Sequence, residues 1–340
     1  MGGRSPEGLL LVDKPSGPTS HRVVAVARRL LATRKVGHGG TLDPLATGVL
    51  VLGIGKGTKL LTYVSGDDKE YEATIRLGVS TETDDSEGLW TSWSGASGIG
   101  VEAVRRAMAG LTGDIEQVPS SVSAIKVGGK RSYDLVRAGK PAALKARPVT
   151  VSKFQIVGEP RVAHLPSPAP TGEDALGEDA VGVVDVLDVD VVAEVSSGTY
   201  IRALARDLGE ALGAGAHLTA LRRTRGGRFP VDKCTKLEDL ESLAERGEAL
   251  PLLSLSESAK TLFPTLVVSS EAARRFAHGT APSPGEVERI VPLAGEEERG
   301  GAVYAVAEQG SDSVLGLVAE ERGGEARRTR FRTLNVFEAG

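Results

Sequence analysis

The sequence predicts an α+β protein in two parts: a larger N-terminal region of strands interleaved with helices, and a small β-rich C-terminal domain. Three observations carry that expectation. The chain has 340 residues, too many for one small core and enough for two domains. Strand-like runs such as Val49 to Ile54, Glu70 to Leu77 and Val183 to Val195 are separated by helix-periodic stretches such as Tyr200 to Leu212. From about Leu262 onward, short β patterns and turns replace the helical periodicity.

Each element has a local reason. Leu9 to Val12 is a short apolar strand, stopped by the turn-rich Asp13-Lys14-Pro15-Ser16-Gly17-Pro18. Thr19 or Ser20 caps a helix to about Leu31, with Val23, Val24, Ala27 and Leu30 on its apolar stripe. Gly37 to Thr47 is a loop rich in Gly, and Val49 to Ile54 is a buried strand that turns towards a helix through residues 53–59. Glu70 to Leu77 alternates as a strand, residues 84–98 read as a polar loop, and Ile99 to Leu111 as a short helix. Residues 119–147 carry seven basic side chains against the single acid Asp134, with a turn at Gly128-Gly129. Pro148 to Val157 is a strand, residues 159–182 read as a disordered acidic insert, and Val183 to Val195 is a long strand of alternating acid and valine. Tyr200 to Leu212 is a helix with Ile201, Leu204, Leu208 and Leu212 on one face, and residues 237–258 read as an acidic linker helix. The expected division is therefore 1–236, the linker 237–258, and a domain over 259–340.

Composition excludes several classes. The apolar fraction of 40% is too high for a mainly disordered chain. The single cysteine, Cys234, excludes an internal disulfide and a cysteine zinc cage, and suits a reducing compartment such as the cytoplasm. No apolar run reaches the ~18 residues of a membrane span, and the N-terminus lacks a secretory apolar core. The five histidines show no ligand spacing, so no metal is expected. Gly53 to Lys59 fails the phosphate-loop pattern, and Gly98-Ile99-Gly100 lacks the preceding strand of a dinucleotide site.

The net charge of −4 hides a strong division. Residues 1–157 hold 21 basic and 15 acidic side chains, and residues 199–236 hold 8 and 3. Residues 158–198 hold 1 and 9, and residues 237–340 hold 11 and 18. Screening limits fields to roughly 10 Å in salt, so local density decides whether phosphates are attracted. A nucleic-acid partner is thus compatible with an acidic total.

The informative stretch is Gly37-His38-Gly39-Gly40-Thr41-Leu42-Asp43-Pro44-Leu45-Ala46-Thr47-Gly48. Its glycines allow backbone close to a ligand, and Pro44 keeps Asp43 out of helical conformation on a rigid turn. Taken alone, an Asp before Pro is more often a turn former than a catalyst; the glycine density and the flanking buried strands bring the two readings level.

This stretch resembles the signature loop of the TruB family of tRNA pseudouridine synthases. Further pieces match in order: Asp13-Lys14-Pro15 with Thr19-Ser20-His21, Lys69-Glu70-Tyr71, Pro119-Ser120 with Ser123-Ala124 and Lys126, Gly198-Thr199-Tyr200-Ile201-Arg202, and Gly215-Ala216-His217 leading to Leu221-Arg222-Arg223. The likeness spans roughly residues 8–236, and Leu262 to Phe337 is similar to a PUA-type RNA-binding domain.

The resemblance implies a pseudouridine-synthase fold, with a mixed, largely antiparallel sheet and flanking helices. It implies isomerisation of the T-loop uridine at position 55 of tRNA, without cofactor or metal, by a monomer needing no obligate protein partner. Asp43 matches the essential aspartate, Arg202 the arginine paired with it, and Tyr71 the tyrosine beside the target base. Tyr200 and Leu221 match positions lining the uracil pocket, and His38 a histidine holding the flipped nucleotide. The basic segment 119–147 matches an RNA-gripping insertion, so Lys126, Lys130 and Arg131, with Lys14, Arg222 and Arg223, are expected to meet RNA. Two departures stand out: position 39 is Gly where many members have Thr, and the insert at 159–182 is longer and more acidic. Two rivals stay open at this stage, a guide-RNA-dependent synthase subunit and a tRNA-folding chaperone.

Overall fold

The alternation in Glu70 to Leu77 becomes the strand Lys69–Leu77, with Lys69, Tyr71, Ala73, Ile75 and Leu77 turned inward. The computed structural model describes residues 6–120, 126–127, 130–131, 144–167, 182–294, 302–322 and 329–337. These fall into two compact units: Met1–Leu42, Val49–Ser65 and Arg228–Gly340 in the first, Asp43–Gly48 and Gly66–Gly227 in the second.

The second unit is built on a sheet. Lys69–Leu77 lies between Ala216–Gly226 and Gly182–Val195, and pairs antiparallel with both. Arg147–Ile156 extends the sheet beside Gly182–Val195, and Gly113–Gln117 follows it, again antiparallel. The exception is the parallel pairing of Thr47 and Gly48 with Arg222 and Arg223. The sheet is mixed and largely antiparallel, as expected. Helix Ile201–Ala211 buries Ile201, Leu204, Ala205 and Leu208. Gly209 lets it approach the strand, since a Cβ there would lie 2.3 Å from the Ala216 nitrogen.

In the first unit, strand Gly8–Lys14 lies beside Thr47–Ile54 and pairs with Thr235–Lys236 and Leu252–Leu253. Helix Ser20–Leu30 is capped by the Thr19 side chain, which accepts from the Arg22 amide. A separate five-stranded sheet runs in the order Val287–Val291, Thr265–Val268, Val303–Glu308, Val314–Arg322, Thr329–Val336. Helix Ser270–Ala277 packs Ala272, Ala273 and Phe276 against it. No helix among the described residues is long and apolar enough to cross a membrane.

Several expectations are corrected. The central strand Ala216–Gly226 is not legible as a strand, because register shifts at Leu218/Ala220 and Arg223/Arg225 interrupt its two-residue period. Part of the supposed disordered insert is ordered: Arg161–Ser167 pairs with Gly182–Asp188. Pro166 is tolerated there because this strand has no partner on its far side among the described residues; residues 168–181 lie outside the described residues. The 237–258 linker is not one helix. It holds helix Leu237–Glu245, strand Leu252–Leu253 and the start of helix Leu255–Leu262, the break falling at Gly247, which has φ of +71°, and Pro251. The division at 236 and 259 also gives way, because Leu9, Leu11, Val49 and Val51 share one apolar core with Phe263, Leu317 and Phe337. The loop read at 84–98 contains strand Trp90–Ser92, paired with Ser80–Thr81. Gly57 explains the glycine run at 53–59: a Cβ there would lie 1.9 Å from the Gly8 carbonyl oxygen, so the glycine serves backbone packing.

His217 is 3% exposed and bonds through Nδ1 to the Val79 carbonyl at 2.8 Å. Burial holds its pKa below the ordinary histidine value. The unfolded chain therefore takes up the proton first, and the stability His217 contributes is present above the unfolded pKa near 6.5 and lost as pH falls below it. Thermal unfolding from pH 7 to 5 is expected to show a larger fall in Tm for the wild type than for His217→Gln, whose amide keeps a donor but does not titrate.

Candidate active site

Asp43 lies in a turn closed by its own carbonyl, which accepts from the Ala46 amide at 3.1 Å. The preceding residue, Leu42, is held at both backbone groups by one buried hydroxyl: Ser20 Oγ accepts from the Leu42 amide at 2.8 Å and donates to the Leu42 carbonyl at 3.0 Å. Gly48 follows at φ +96°, where a Cβ would lie 2.2 Å from the Arg223 carbonyl oxygen. The Gly density of the motif thus has a steric reason here. At the departure noted above, a Cβ on Gly39 would lie 2.9 Å from Val64 Cγ1, so glycine there fits the packing of helix Leu61–Gly66.

The second residue of helix Ile201–Ala211 is Arg202, whose side chain is 5% exposed. Its Nε donates to Asp43 Oδ2 at 3.0 Å and lies 3.6 Å from Asp85 Oδ2, and an NH group donates to the Thr83 carbonyl at 2.7 Å. A cation in the first turn of a helix opposes the helix dipole, and a buried cation needs partners. Two carboxylates and a carbonyl supply them. Asp85 is 4% exposed and Asp43 is 38% exposed, so one carboxylate is structural while the other faces solvent. Asp85 is itself held by the Thr83 hydroxyl and the Glu87 amide. The helix start lacks a side-chain cap of its own. Gln117 replaces it, accepting from the Tyr200 amide at 2.9 Å and donating to the Tyr200 carbonyl at 3.2 Å.

Tyr71 is 7% exposed, and its hydroxyl accepts from Arg223 at 3.4 Å. Leu221, also buried, lies across from Ala73 on the same sheet face and accepts from the Thr47 hydroxyl at 3.5 Å. Lys69 is two residues before Tyr71 on that face, and burial followed by the nearby Arg223 charge pushes its pKa down to about 8.

The structure unites Asp43 with Arg202, and Tyr71 with Arg223 and Leu221. Tyr200 is half-buried at the helix start. His38 is placed in the first unit, ending strand Val36–His38, edge-on to His21 with ring centroids 5.5 Å apart. Two expected RNA-contact residues are corrected. Lys14 is fully buried, its ammonium donating to the Pro15 and Pro18 carbonyls at 2.9 and 2.8 Å, so it holds the turn after the first strand. Arg223 is 2% exposed and serves Tyr71. Arg222 is half-buried, 3.4 Å from the Thr47 hydroxyl. Lys126 and Arg131 pair across two short antiparallel strands, with Val127 opposite Lys130; Gly128 and Gly129 between them lie outside the described residues. Sequence reasoning missed Thr83, Asp85 and Gln117. The signal available was Thr83-Asp84-Asp85, two acids in a segment read only as loop.

Comparison with known proteins fits this arrangement. The family description "TruB family pseudouridylate synthase (N terminal domain)" matches residues 28–165, and "tRNA pseudouridylate synthase B C-terminal domain" matches residues 202–254. A relative from Arthrobacter sp. (strain FB24), named tRNA pseudouridine synthase B, is 53% identical over 272 residues, covering 80% of this chain and 81% of its own. The chain belongs to the TruB family of pseudouridylate synthases. A second TruB relative of the same name, from Leifsonia xyli subsp. xyli, is 47% identical and covers 94% of both chains. Among solved structures, a chain of a Cbf5-Nop10-Gar1 complex aligns with a TM-score of 0.68 at 24% identity, over 98% of this chain and 85% of that one. At that identity the likeness establishes the fold alone.

Arg202→Met removes the cation facing buried Asp85 and is expected to destabilise the fold by about 3–5 kcal/mol. Asp43→Asn leaves a half-wet side chain and a buried arginine still paired with Asp85, so it is expected to cost under about 1 kcal/mol. Urea unfolding of the two variants beside the wild type checks the ordering.

Proposed function

We propose that this chain converts the T-loop uridine at position 55 of tRNA into pseudouridine, with Asp43 as the nucleophile. The observation that carries the reading is the partly exposed Asp43 carboxylate, fixed by buried Arg202 on one side and open on the other. The overall change breaks the C1′–N1 bond, turns the uracil and joins C5 to C1′. N1 gains a proton and the C5 proton leaves to solvent, so the base keeps its composition and no electron acceptor is needed. Such a change needs a carboxylate near the sugar and a base drawn out of its stack.

Each other residue has a part in this reading. Arg202 aims the Asp43 carboxylate through its hydrogen bond to Oδ2. Tyr71, held at its hydroxyl by Arg223, stacks beside the uracil and serves proton transfer. Leu221 and Tyr200 wall the base pocket. Lys126, Lys130 and Arg131 grip the T arm through its backbone and shape. The relatives named tRNA pseudouridine synthase B support tRNA as the substrate. The reading is of a monomer in the cytoplasm without an obligate protein partner, and the basic segment supports action on bare tRNA rather than through a guide RNA.

Tritium release from C5-labelled tRNA by the purified chain alone is the test. Wild type is expected to release one tritium per tRNA, and Asp43→Ala to fall at least about 1000-fold in rate, as loss of a nucleophile does. Equal release by the two overturns the role of Asp43. Release only after a guide RNA is added overturns the stand-alone reading. Affinity for tRNA is expected to weaken as salt rises, because the grip is on phosphates.

A further inference from the structure

A second arginine, Arg206, lies one turn along the helix from Arg202 and on the same face. Its guanidinium is held from three directions. It lies 3.6 Å from Asp84 Oδ2, donates to Asp207 Oδ1 at 2.6 and 3.0 Å, and donates to the Val118 carbonyl at 2.7 Å. Glu210, at 3.9 Å and 71% exposed, completes the cluster at its rim.

The two arginines thus take two consecutive residues: Asp85 meets Arg202 and Asp84 meets Arg206. Consecutive side chains on extended backbone point to opposite sides. Here both face one helix because Asp84 adopts φ +59°, a left-handed conformation uncommon outside glycine and best tolerated by Asn and Asp. Such a conformation persists only where surrounding contacts hold it. The contacts include the Arg206 ion pair, the Asp84 carbonyl, which accepts from the Leu218 amide at 3.0 Å, the Asp84 amide, which donates to the Thr81 carbonyl at 3.4 Å, and the Ser120 side chain, which favours the ionised Asp84 carboxylate. Val118, the other acceptor, is the residue immediately before the basic segment 119–147.

We infer that Arg206 is a positioning residue for pseudouridine formation: it holds Asp84 in its left-handed conformation, so that Asp85 seats on Arg202, and ties the root of the basic segment to the same helix turn. The inference rests on the function proposed above. It gives Arg206 no contact with substrate. Its effect reaches the reaction through Asp85, Arg202 and Asp43.

The test compares single-turnover pseudouridine formation with tRNA affinity for the full chain, at whichever tRNA uridine the wild type modifies. Arg206→Gln and Asp84→Asn are each expected to slow the chemical step by about 10-fold or more while changing the tRNA Kd less than about 3-fold. Glu210→Gln, at the exposed rim, is expected to match the wild type. Adding Arg206→Gln to Asp85→Asn is expected to slow the step little further, since both act through one linkage. A wild-type rate in Arg206→Gln overturns the inference, as does a loss confined to Kd, or a double variant in which the two losses multiply. If Arg206→Gln does not fold, Asp84→Asn and its combination with Asp85→Asn give the same readings. A wild-type chain inactive on tRNA overturns the proposed function, whereas an active wild type with an equally active Arg206→Gln overturns this inference alone.

Discussion

Buried Arg202 is the constraint around which the second unit is arranged. A guanidinium in the first turn of a helix and 5% exposed is stable only if anions meet it. That requirement fixes three other parts of the chain: the Asp43 turn, the Thr83 carbonyl and the Asp85 carboxylate. The division of labour between the carboxylates follows from burial. Asp85 neutralises the cation, and Asp43 can share it while keeping an oxygen open to solvent. One carboxylate alone would have to choose between holding the arginine and meeting a substrate.

Backbone geometry delivers these groups as much as side-chain chemistry does. Ser20 holds both backbone groups of the residue before Asp43, and Gly48 lets the strand after it run against Arg223 at a distance no other residue permits. Gln117 gives the helix start the cap its own sequence lacks. The bulged strand Ala216–Gly226 turns Leu221 and Arg223 to the face that carries Tyr71. The irregularities that hid this strand from periodicity are the features that place its side chains.

The basic residues show how far charge reading goes. Lys14 and Arg223 belong to matched motifs and carry the charge an RNA contact needs, yet both are buried and spent on internal acceptors. A sequence reports that a cation is present and not whether its donors face solvent. The same limit explains the missed Asp85. An acid in a polar loop looks solvated until the helix that closes over it is known. The insert at 159–182 failed for a related reason, because Pro- and Ala-rich composition conceals an edge strand whose partner supplies the order.

The sequence by itself determined the family motifs, the Asp43 turn, the apolar periods of most strands and helices, and the separation of basic from acidic blocks. These depend on neighbours within a few residues, where propensity and spacing act directly. Only the tertiary structure decided that Asp85 also pairs with Arg202, that Gln117 caps its helix, and that the two ends of the chain share one core. It also decided which arginines are internal. Each of these joins residues far apart in sequence, and burial, which sets the worth of a charge, exists only once those distant segments have met.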